Sequence, residues 1–242
     1  MAAALTGGAL SVWETPESAL DPFVKRPLGR LPSRCVALAA SPSGAYLLCG
    51  CQEGDVVGWN VPAGEPLFSD KDHAGPVTSA AYSMDGRWTA TGGEDGQVVV
   101  RDASGDPWFK TPAHADGVTA VRFGPEGRLL TGGRDGSIRF WSMPSGRLER
   151  DLPGHTGAVR ALAVSPDGRR LFSAGDDATV RVWDTETGRI LLTLKHRFGP
   201  LRALRVCRSG RRVAAADPRG LTVWDCGPLE PTGPSMGLTA GP

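Results

Sequence analysis

An all-β fold made of repeated four-stranded antiparallel sheets is predicted by three features of this 242-residue sequence. The segment His155–Asp184 is a template that recurs, with decay, in five copies. The template histidine returns every 41 residues, at positions 73, 114, 155 and 196. Each copy holds three short apolar runs separated by turns that contain Pro, Asp and Gly, and a fourth run links one copy to the next. Repetition at such a period is typical of units that bury their faces only against neighbouring units.

The five copies are assigned to residues 31–60, 73–102, 114–142, 155–184 and 196–225. In the fourth copy the predicted strands are Val159–Val164, Leu171–Ala174, Val180–Trp183 and Arg189–Leu194. The runs are too short for helices and are rich in Val, Leu and Ala. Because they carry apolar residues on both strand faces, we expect each sheet to be covered on both sides.

The two ends of the chain differ from the template. Residues 1–30 contain no full copy, but the segment from Gly8 to Glu14 is similar to the end of the last copy, from Arg219 to Asp225. We therefore expect a degenerate partial unit and a linker there, with an outer strand over residues 18–25. Residues 226–242 are rich in Pro and Gly and are predicted to form a flexible tail. The expected domains are 1–30, 31–225 and 226–242.

Composition excludes several classes of function. The formal net charge is +1, so the chain as a whole is not committed to nucleic acid or to an anionic membrane. The first residues lack the basic and apolar segments of a signal peptide, and no run approaches the length of a membrane span. The five cysteines show no paired spacing, and Cys49 and Cys51 are interpreted as buried hydrophobic residues rather than a redox or metal pair. We expect an intracellular protein, in the cytoplasm rather than the nucleus, with no membrane partner.

The period, the histidine after Gly or Ala, the Ser165–Gly168 turn and the ending Thr179–Asp184 resemble the WD-repeat family of β-propellers. The fourth copy is nearly a consensus match, the second and third are good, and the first and fifth are recognisable by register. The resemblance covers about residues 31–225. It implies a β-propeller of four-stranded blades, with about five full repeats and a partial N-terminal blade.

Two interpretations compete for a set of polar residues that occurs twice. A serine, a histidine and an aspartate could form a nucleophile, a base and its orienting group. The resemblance instead implies a buried hydrogen-bond chain that links the outer turn of a blade to its inner strands. Repetition favours this structural role, since an enzyme needs only one site. The two sets are His155, Ser173, Asp177 and Trp183, and His114, Thr131, Asp135 and Trp141.

The other copies retain less of this set. The second keeps His73, Thr91 and Asp95 but has Arg101 in place of tryptophan, and the first has Cys49 and no histidine. In the fifth copy, Ala214 and Pro218 are assigned to the positions of the hydroxyl and the carboxylate. We therefore expect substitution of His155 by alanine to lower stability substantially and the same change at His196 to lower it little.

The sequence predicts no catalytic, cofactor-binding or metal site. The four histidines occupy equivalent positions on separate repeats and cannot converge on one ion. The Gly-rich segments 92–96 and 132–136 are hairpin turns without a following helix, which excludes a phosphate loop. We expect a protein that is not an enzyme and needs no cofactor.

One face built from turns is the candidate partner-binding surface. The residue before each turn aspartate and the loop after each histidine should lie at the same end of the sheets, because both turns close onto that end. Solvated turn residues without a binding role are the alternative. The face comprises Gln52, Glu94, Arg134, Asp176, Asp116, Thr156 and Phe198.

A second candidate surface is the arginine-rich fifth repeat, residues 196–220. An acidic partner or a nucleic-acid backbone could bind it. Aromatic residues do not alternate with the arginines and strand alternation spreads them over several faces, so a solvated surface is favoured.

These observations predict a non-catalytic protein-interaction scaffold or adaptor, with one or more proteins as partners. The alternative is binding to nucleic acid or chromatin through the fifth repeat. Rings of the WD-repeat family commonly have seven blades, so five and a fraction leave the ring short. Three possibilities follow: an open ring, completion by a second chain or larger partner, or a fragment of a longer propeller.

Overall fold

The computed structural model describes residues 2–6, 9–14, 24–197 and 199–225. Most of these residues form β-strands, and the described helical structure is one short 3-10 turn, Pro125–Gly127. The chain divides into two compact units, residues 1–123 and 124–242. The all-β prediction is confirmed. The domain limits at residues 30 and 225 and the expectation of an incomplete or open ring stay predictions.

The first unit begins with a three-stranded antiparallel sheet in the order β1-β2-β3. Its strands are β1 (Ala2–Thr6), β2 (Ala9–Glu14) and β3 (Val24–Arg30). The predicted outer strand at residues 18–25 lies mostly outside the described residues, and β3 overlaps it at residues 24–25. The register sets Val12 opposite Arg26, since β3 pairs along β2.

Two four-stranded meanders follow in the first unit, each with its strands in chain order. The first contains β4 (Cys35–Ala40), β5 (Tyr46–Cys51), β6 (Asp55–Asn60) and β7 (Glu65–Lys71). The second contains β8 (Val77–Tyr82), β9 (Trp88–Gly93), β10 (Gln97–Asp102) and β11 (Pro107–Pro112). The unit ends with β12 (Val118–Phe123).

The second unit repeats the same pattern. It contains the antiparallel strands β13 (Leu129–Gly133), β14 (Ser137–Trp141) and β15 (Leu148–Pro153). The next meander contains β16 (Val159–Val164), β17 (Arg170–Gly175), β18 (Thr179–Asp184) and β19 (Ile190–Lys195). The described chain ends with a three-stranded sheet of β20 (Ala203–Val206), β21 (Arg212–Asp217) and β22 (Gly220–Asp225).

Sheets pack face to face within each unit. Leu10 and Val12 of β2 are buried against Trp59 and its neighbours on β5 and β6. In the second unit, Val180 and Val182 of β18 join Leu204 and Val213 of the following sheet in one cluster. The strands β5, β9, β13 and β17 are buried on both faces, as the apolar runs predict.

A side-chain hydrogen bond closes the first turn of the fourth repeat. The Ser165 hydroxyl donates to Asp167, at 2.5 Å, and accepts the backbone N–H of Arg170, at 3.0 Å. Ser83 and Asp85 make the equivalent contact in the second repeat, at 2.6 Å. Serine and aspartate satisfy turn backbone groups locally, which is why the Ser-Pro-Asp-Gly segment ends a strand here.

Candidate protein-interaction surface

A directed hydrogen-bond chain crosses the fourth repeat. The indole Nε1–H of Trp183 donates to Ser173 Oγ at 2.8 Å, and Ser173 Oγ lies 2.7 Å from His155 Nε2. His155 Nδ1 lies 3.0 Å from both carboxylate oxygens of Asp177. Because an ionised carboxylate only accepts, His155 donates through Nδ1, and its Nε2 accepts the Ser173 hydroxyl.

Burial and hydrogen bonding hold His155 neutral beside an ionised Asp177. Burial lowers the pKa of His155 below its ordinary 6.5, and Asp177 offsets this only in part. Burial alone would raise the pKa of Asp177, but hydrogen bonds from His155 and Thr179 hold it below its ordinary value. Ser173 is 0 % exposed and already accepts the Trp183 N–H, so its hydroxyl is not placed to attack a substrate. The geometry fits a structural chain rather than a triad.

The second repeat keeps three members of this chain. His73 Nε2 lies 3.0 Å from Thr91 Oγ1, and His73 Nδ1 lies 3.0 Å from Asp95 Oδ1. The buried guanidinium of Arg101 occupies the place of the indole. It forms two hydrogen bonds with Asp72 and an ion pair with Asp70. A buried ion pair thus replaces an aromatic packing contact.

The third repeat retains the hydroxyl and the indole in contact. Trp141 Nε1–H donates to Thr131 Oγ1 at 3.0 Å. Asp135 accepts the backbone N–H of Ser137 and pairs with Arg139, both at 3.0 Å. His114, which the sequence assigns to the same repeat, is buried in the first unit.

In the fifth repeat the sequence-based register is wrong by one residue. The turn between β21 and β22 is one residue shorter than the matching turn of the fourth repeat. Ala215, which lies opposite Thr222, therefore takes the position that Ser173, opposite Arg181, holds in the fourth repeat. The hydroxyl comes from the third strand instead: His196 Nε2 lies 3.0 Å from Thr222 Oγ1. Asp217, and not Pro218, supplies the carboxylate, 3.7 Å from His196 Nδ1. The assignment of Ala214 and Pro218 to the hydroxyl and carboxylate positions is therefore corrected.

The first repeat leaves its indole unsatisfied. Trp59 is buried, and its Nε1 has no hydrogen-bond partner among the described residues. Cys49 holds the position of the hydroxyl. The thiols of Cys49 and Cys51 lie in an apolar cluster, and burial raises the pKa of Cys51 to about 11. These cysteines act as buried hydrophobic residues.

In the first unit, three residues of the predicted partner-binding face are exposed on turns. Gln52 and Glu94 follow the second strands of their sheets, and Asp116 lies in the loop after His114. Backbone hydrogen bonds fix these turns, from Glu94 N–H to Pro76 at 2.9 Å and from His114 N–H to Gly96 at 3.1 Å. The loop that carries Asp116 is thus tied to the turn that carries Glu94.

In the second unit, Arg134 and Thr156 are exposed, and Asp176 is half-buried. Asp176 accepts two hydrogen bonds from Arg160, and Arg202 lies 3.9 Å away. The Arg160 contact holds the pKa of Asp176 below its ordinary range. Phe198 lies outside the described residues.

Sequence reasoning missed both the Arg160–Asp176 pair and an exposed aromatic pair in the first unit. Trp88 and Trp108 stack edge to face, with ring centroids 5.0 Å apart, and Trp108 is 53 % exposed. Trp108, in the apolar run that links the second and third copies, is the sequence signal that could have indicated the aromatic pair. The Arg160–Asp176 pair depends on strand register, which places Arg160 of β16 beside the turn after β17.

No group of three or more potential metal ligands occurs among the residues that the structure describes. None of its helical segments is long and apolar enough to span a membrane.

Comparison with known proteins places three of the repeats in a family. The family model "WD domain, G-beta repeat" matches residues 64–102, 105–142 and 146–184. The chain is also 30 % identical over 102 residues to the pre-rRNA-processing protein IPI3 of Mycosarcoma maydis. That alignment covers 39 % of this chain but only 17 % of the relative. Each matched repeat contains the three inner strands and the preceding linking strand of the described meanders, and the chain belongs through them to the WD-repeat family.

Proposed function

We propose that this protein is a non-catalytic scaffold that binds partner proteins through the turn surface of its sheets. WD40 repeats generally mediate protein–protein interaction, which supports the class. The supporting observation is the pairing of exposed polar side chains with rigid turns. Glu94 and Asp116 project from turns that are joined by backbone hydrogen bonding. The turns of Thr156 and Asp176 are joined in the same way, by a hydrogen bond from the Asp176 N–H to the carbonyl oxygen of Ala158. Side chains on fixed backbone lose little entropy on binding.

The ion pair of Asp176 affects how this surface can be tested. Its carboxylate is already paired with Arg160, so a partner would meet an ion pair rather than a free charge. Substituting Asp176 would also release Arg160 and confuse loss of binding with loss of local structure. The test therefore uses the exposed residues around it.

Affinity purification with quantitative mass spectrometry tests this proposal. One variant carries Glu94→Ala and Asp116→Ala, and a second carries Arg134→Ala and Thr156→Ala. A matched control carries Glu65→Ala and Lys195→Ala, two exposed residues of opposite charge on outer strands. At least one surface variant should lose partners about tenfold, while the control keeps them. Equal recovery by all three variants and the unmodified chain would exclude the turn surface.

Nucleic-acid binding is the second candidate, and one observation favours it. Arg197, Arg208, Arg211 and Arg219 are exposed in the fifth repeat, and the relative from Mycosarcoma maydis is named for pre-rRNA processing. Binding of a 20-nucleotide RNA should then fall steeply between 50 and 200 mM salt, and the Arg211→Glu, Arg212→Glu variant should abolish it. Under the scaffold proposal this RNA does not bind.

The scaffold proposal also carries the cytoplasmic location expected from the sequence. Fluorescence microscopy of the tagged chain tests it, and accumulation in the nucleus would favour the nucleic-acid alternative.

A further inference from the structure

One face of the last sheet of the second unit is apolar, and no other sheet among the described residues of that unit covers it. In antiparallel pairs, directly opposite residues share a face. Val223 lies opposite Ala214, and Leu221 lies opposite Ala216. Ala203 and Arg205 of β20 extend the same rows, so the face consists of Ala203, Arg205, Ala214, Ala216, Leu221 and Val223. We call it the β20–β22 outer face. Leu221 is 67 % exposed and Val223 is 51 % exposed.

The preceding sheet shows what such a face normally contacts. Val180 and Val182 of β18 occupy the positions of Leu221 and Val223, and they are 0 % and 4 % exposed. The next sheet covers them with alternate apolar residues of its first two strands, Leu204 on β20 and Val213 and Ala215 on β21. The matching positions of the other sheets, which include Val98, Val100, Ile138 and Phe140, are also buried. The β20–β22 outer face thus has the chemistry of a buried sheet face.

One residue of this face departs from the preceding sheet and indicates the charge of its partner. Arg205 occupies the position that Ala163 holds on β16. Arg205 lies opposite Ala214 of β21, and Ala163 lies opposite Phe172, the matching residue of β17. Arg205 is exposed, and it donates to the carbonyl of Leu204. Residues 202–225 contain six arginines and two aspartates, one of which, Asp217, has a buried side chain. A partner surface with carboxylates complements this charge.

The same residue argues against a second copy as the partner. Two outer faces packed together would bring two Arg205 side chains and their neighbouring arginines into one interface. Like charges in a desolvated contact are costly. A sheet with an apolar face and flanking carboxylates has no such conflict.

We propose that the β20–β22 outer face is a docking site for an acidic β-sheet or β-hairpin of a partner protein, which packs alternating apolar side chains on Leu221 and Val223. The inference rests on the proposed interaction function and adds to it a second surface with a defined partner chemistry. It is separate from the turn surface, because its residues lie along the strands rather than in the turns.

The test uses the element that covers the equivalent face in this chain. A fluorescent peptide of residues 200–217 keeps Leu201, Leu204, Val213 and Ala215, and carries Cys207→Ser. In the acidic form its five arginines at 202, 205, 208, 211 and 212 are replaced by glutamate; in the basic form they are kept. Fluorescence anisotropy with the full chain should show the acidic peptide binding at least about tenfold more tightly than the basic one.

Four variants of the full chain make the test specific. The Leu221→Asp, Val223→Asp variant should bind the acidic peptide at least about tenfold more weakly than the unmodified chain. The Ile190→Asp, Leu191→Asp variant, which changes exposed apolar residues of β19, should bind it with unchanged affinity. Arg205→Glu should shift the preference toward the basic peptide, a change that a misfolded chain would not show. The Glu94→Ala, Asp116→Ala variant should bind normally, so that failure of the turn surface and failure of this face are distinguishable.

Several results would overturn the inference. The acidic peptide could show no saturable binding, its binding could survive the aspartate substitutions at Leu221 and Val223, or both peptides could bind with equal affinity; each of these results contradicts the proposal. A dimer detected by light scattering that these substitutions dissociate would assign the face to a second copy. Binding of a 20-nucleotide RNA that Arg205→Glu abolishes, without binding of the acidic peptide, would assign it to nucleic acid.

Discussion

Single residues decide how firmly each repeat is held together. The fourth repeat has the complete chain from Trp183 to Asp177, and the fifth replaces two of its members with Thr222 and Asp217. Buried hydrogen bonds contribute about 1 kcal/mol each, and a partner left unsatisfied costs more. Repeats with the same fold therefore differ in local stability.

Substitution of His155 by alanine should lower the free energy of unfolding by about 3 kcal/mol, since it leaves Ser173 and Asp177 buried without their partner. The same change at His196 should cost about 1 kcal/mol, because its contact with Asp217 is longer, at 3.7 Å, and its partner Thr222 is half-buried rather than buried like Ser173. Urea unfolding of both variants measures the difference. Equal losses would contradict the ranking.

Stability should fall as the pH decreases below 6.5, in part through His155. Its folded pKa lies below the ordinary value, so the unfolded chain binds more protons in the range between the two values. The stability advantage of the native protein over the His155→Gln variant is therefore full above pH 6.5 and shrinks as the pH falls through the folded pKa. Urea unfolding at pH 7.5 and 5.5 tests this, and a gap that widens at the lower pH would refute it.

The unsatisfied indole of Trp59 offers a stabilising substitution. In the Cys49→Ser variant a hydroxyl stands where Ser173 stands in the fourth repeat and can accept the Trp59 N–H. The melting temperature should rise, with a gain of about 1 kcal/mol. The control is Cys51→Ser, which buries a hydroxyl in the same apolar cluster without an unpaired indole to bond and should destabilise. A similar loss in both variants would count against the proposed contact.

At the scale of the element, tight turns hold each strand pair and also meet the next repeat. The turn after β9 shows this, because Gly96 has φ +76° and a Cβ there would lie 2.2 Å from the carbonyl oxygen of His114. Turn length matters equally. The shorter turn between β21 and β22 moves the hydroxyl from the second strand to the third.

Gly96→Ala should therefore destabilise more than Gly64→Ala. Gly64 has φ +75°, and a Cβ there would meet no atom within 4 Å, so both variants carry the same backbone strain of about 1 kcal/mol. The additional loss at Gly96 measures the close approach to His114. Urea unfolding of the two variants provides the comparison. Identical losses in the free energy of unfolding would mean that the loop at His114 moves away from the new Cβ without loss of stability.

At the scale of the whole molecule, near-zero net charge coexists with a strongly basic last sheet. The proposed interaction surfaces therefore rest on local charge and burial and not on the net charge of the chain. Each unit repeats one sheet design, and the comparison between its copies reveals where a face is uncovered, as at Leu221 and Val223. No single copy would have shown this.

The sequence by itself determined the repeat and the strands, and the family resemblance implied the hydrogen-bond chain of His155, Ser173, Asp177 and Trp183. Apolar alternation, turn residues and a 41-residue period are local properties that can be read along the chain. It also predicted that Gln52, Glu94 and Thr156 lie on turns, since residues beside Asp and Gly in short hairpins are exposed.

Only the tertiary structure decided which residues meet across strands and sheets. The Arg160–Asp176 pair, the replacement of an indole by Arg101 with Asp72, and the contact between His196 and Thr222 all depend on strand register. A one-residue difference in turn length changes register without a clear trace in composition. The exposure of Leu221 and Val223 likewise depends on whether another sheet packs beside them, because the same alternating pattern is buried at Val180 and Val182.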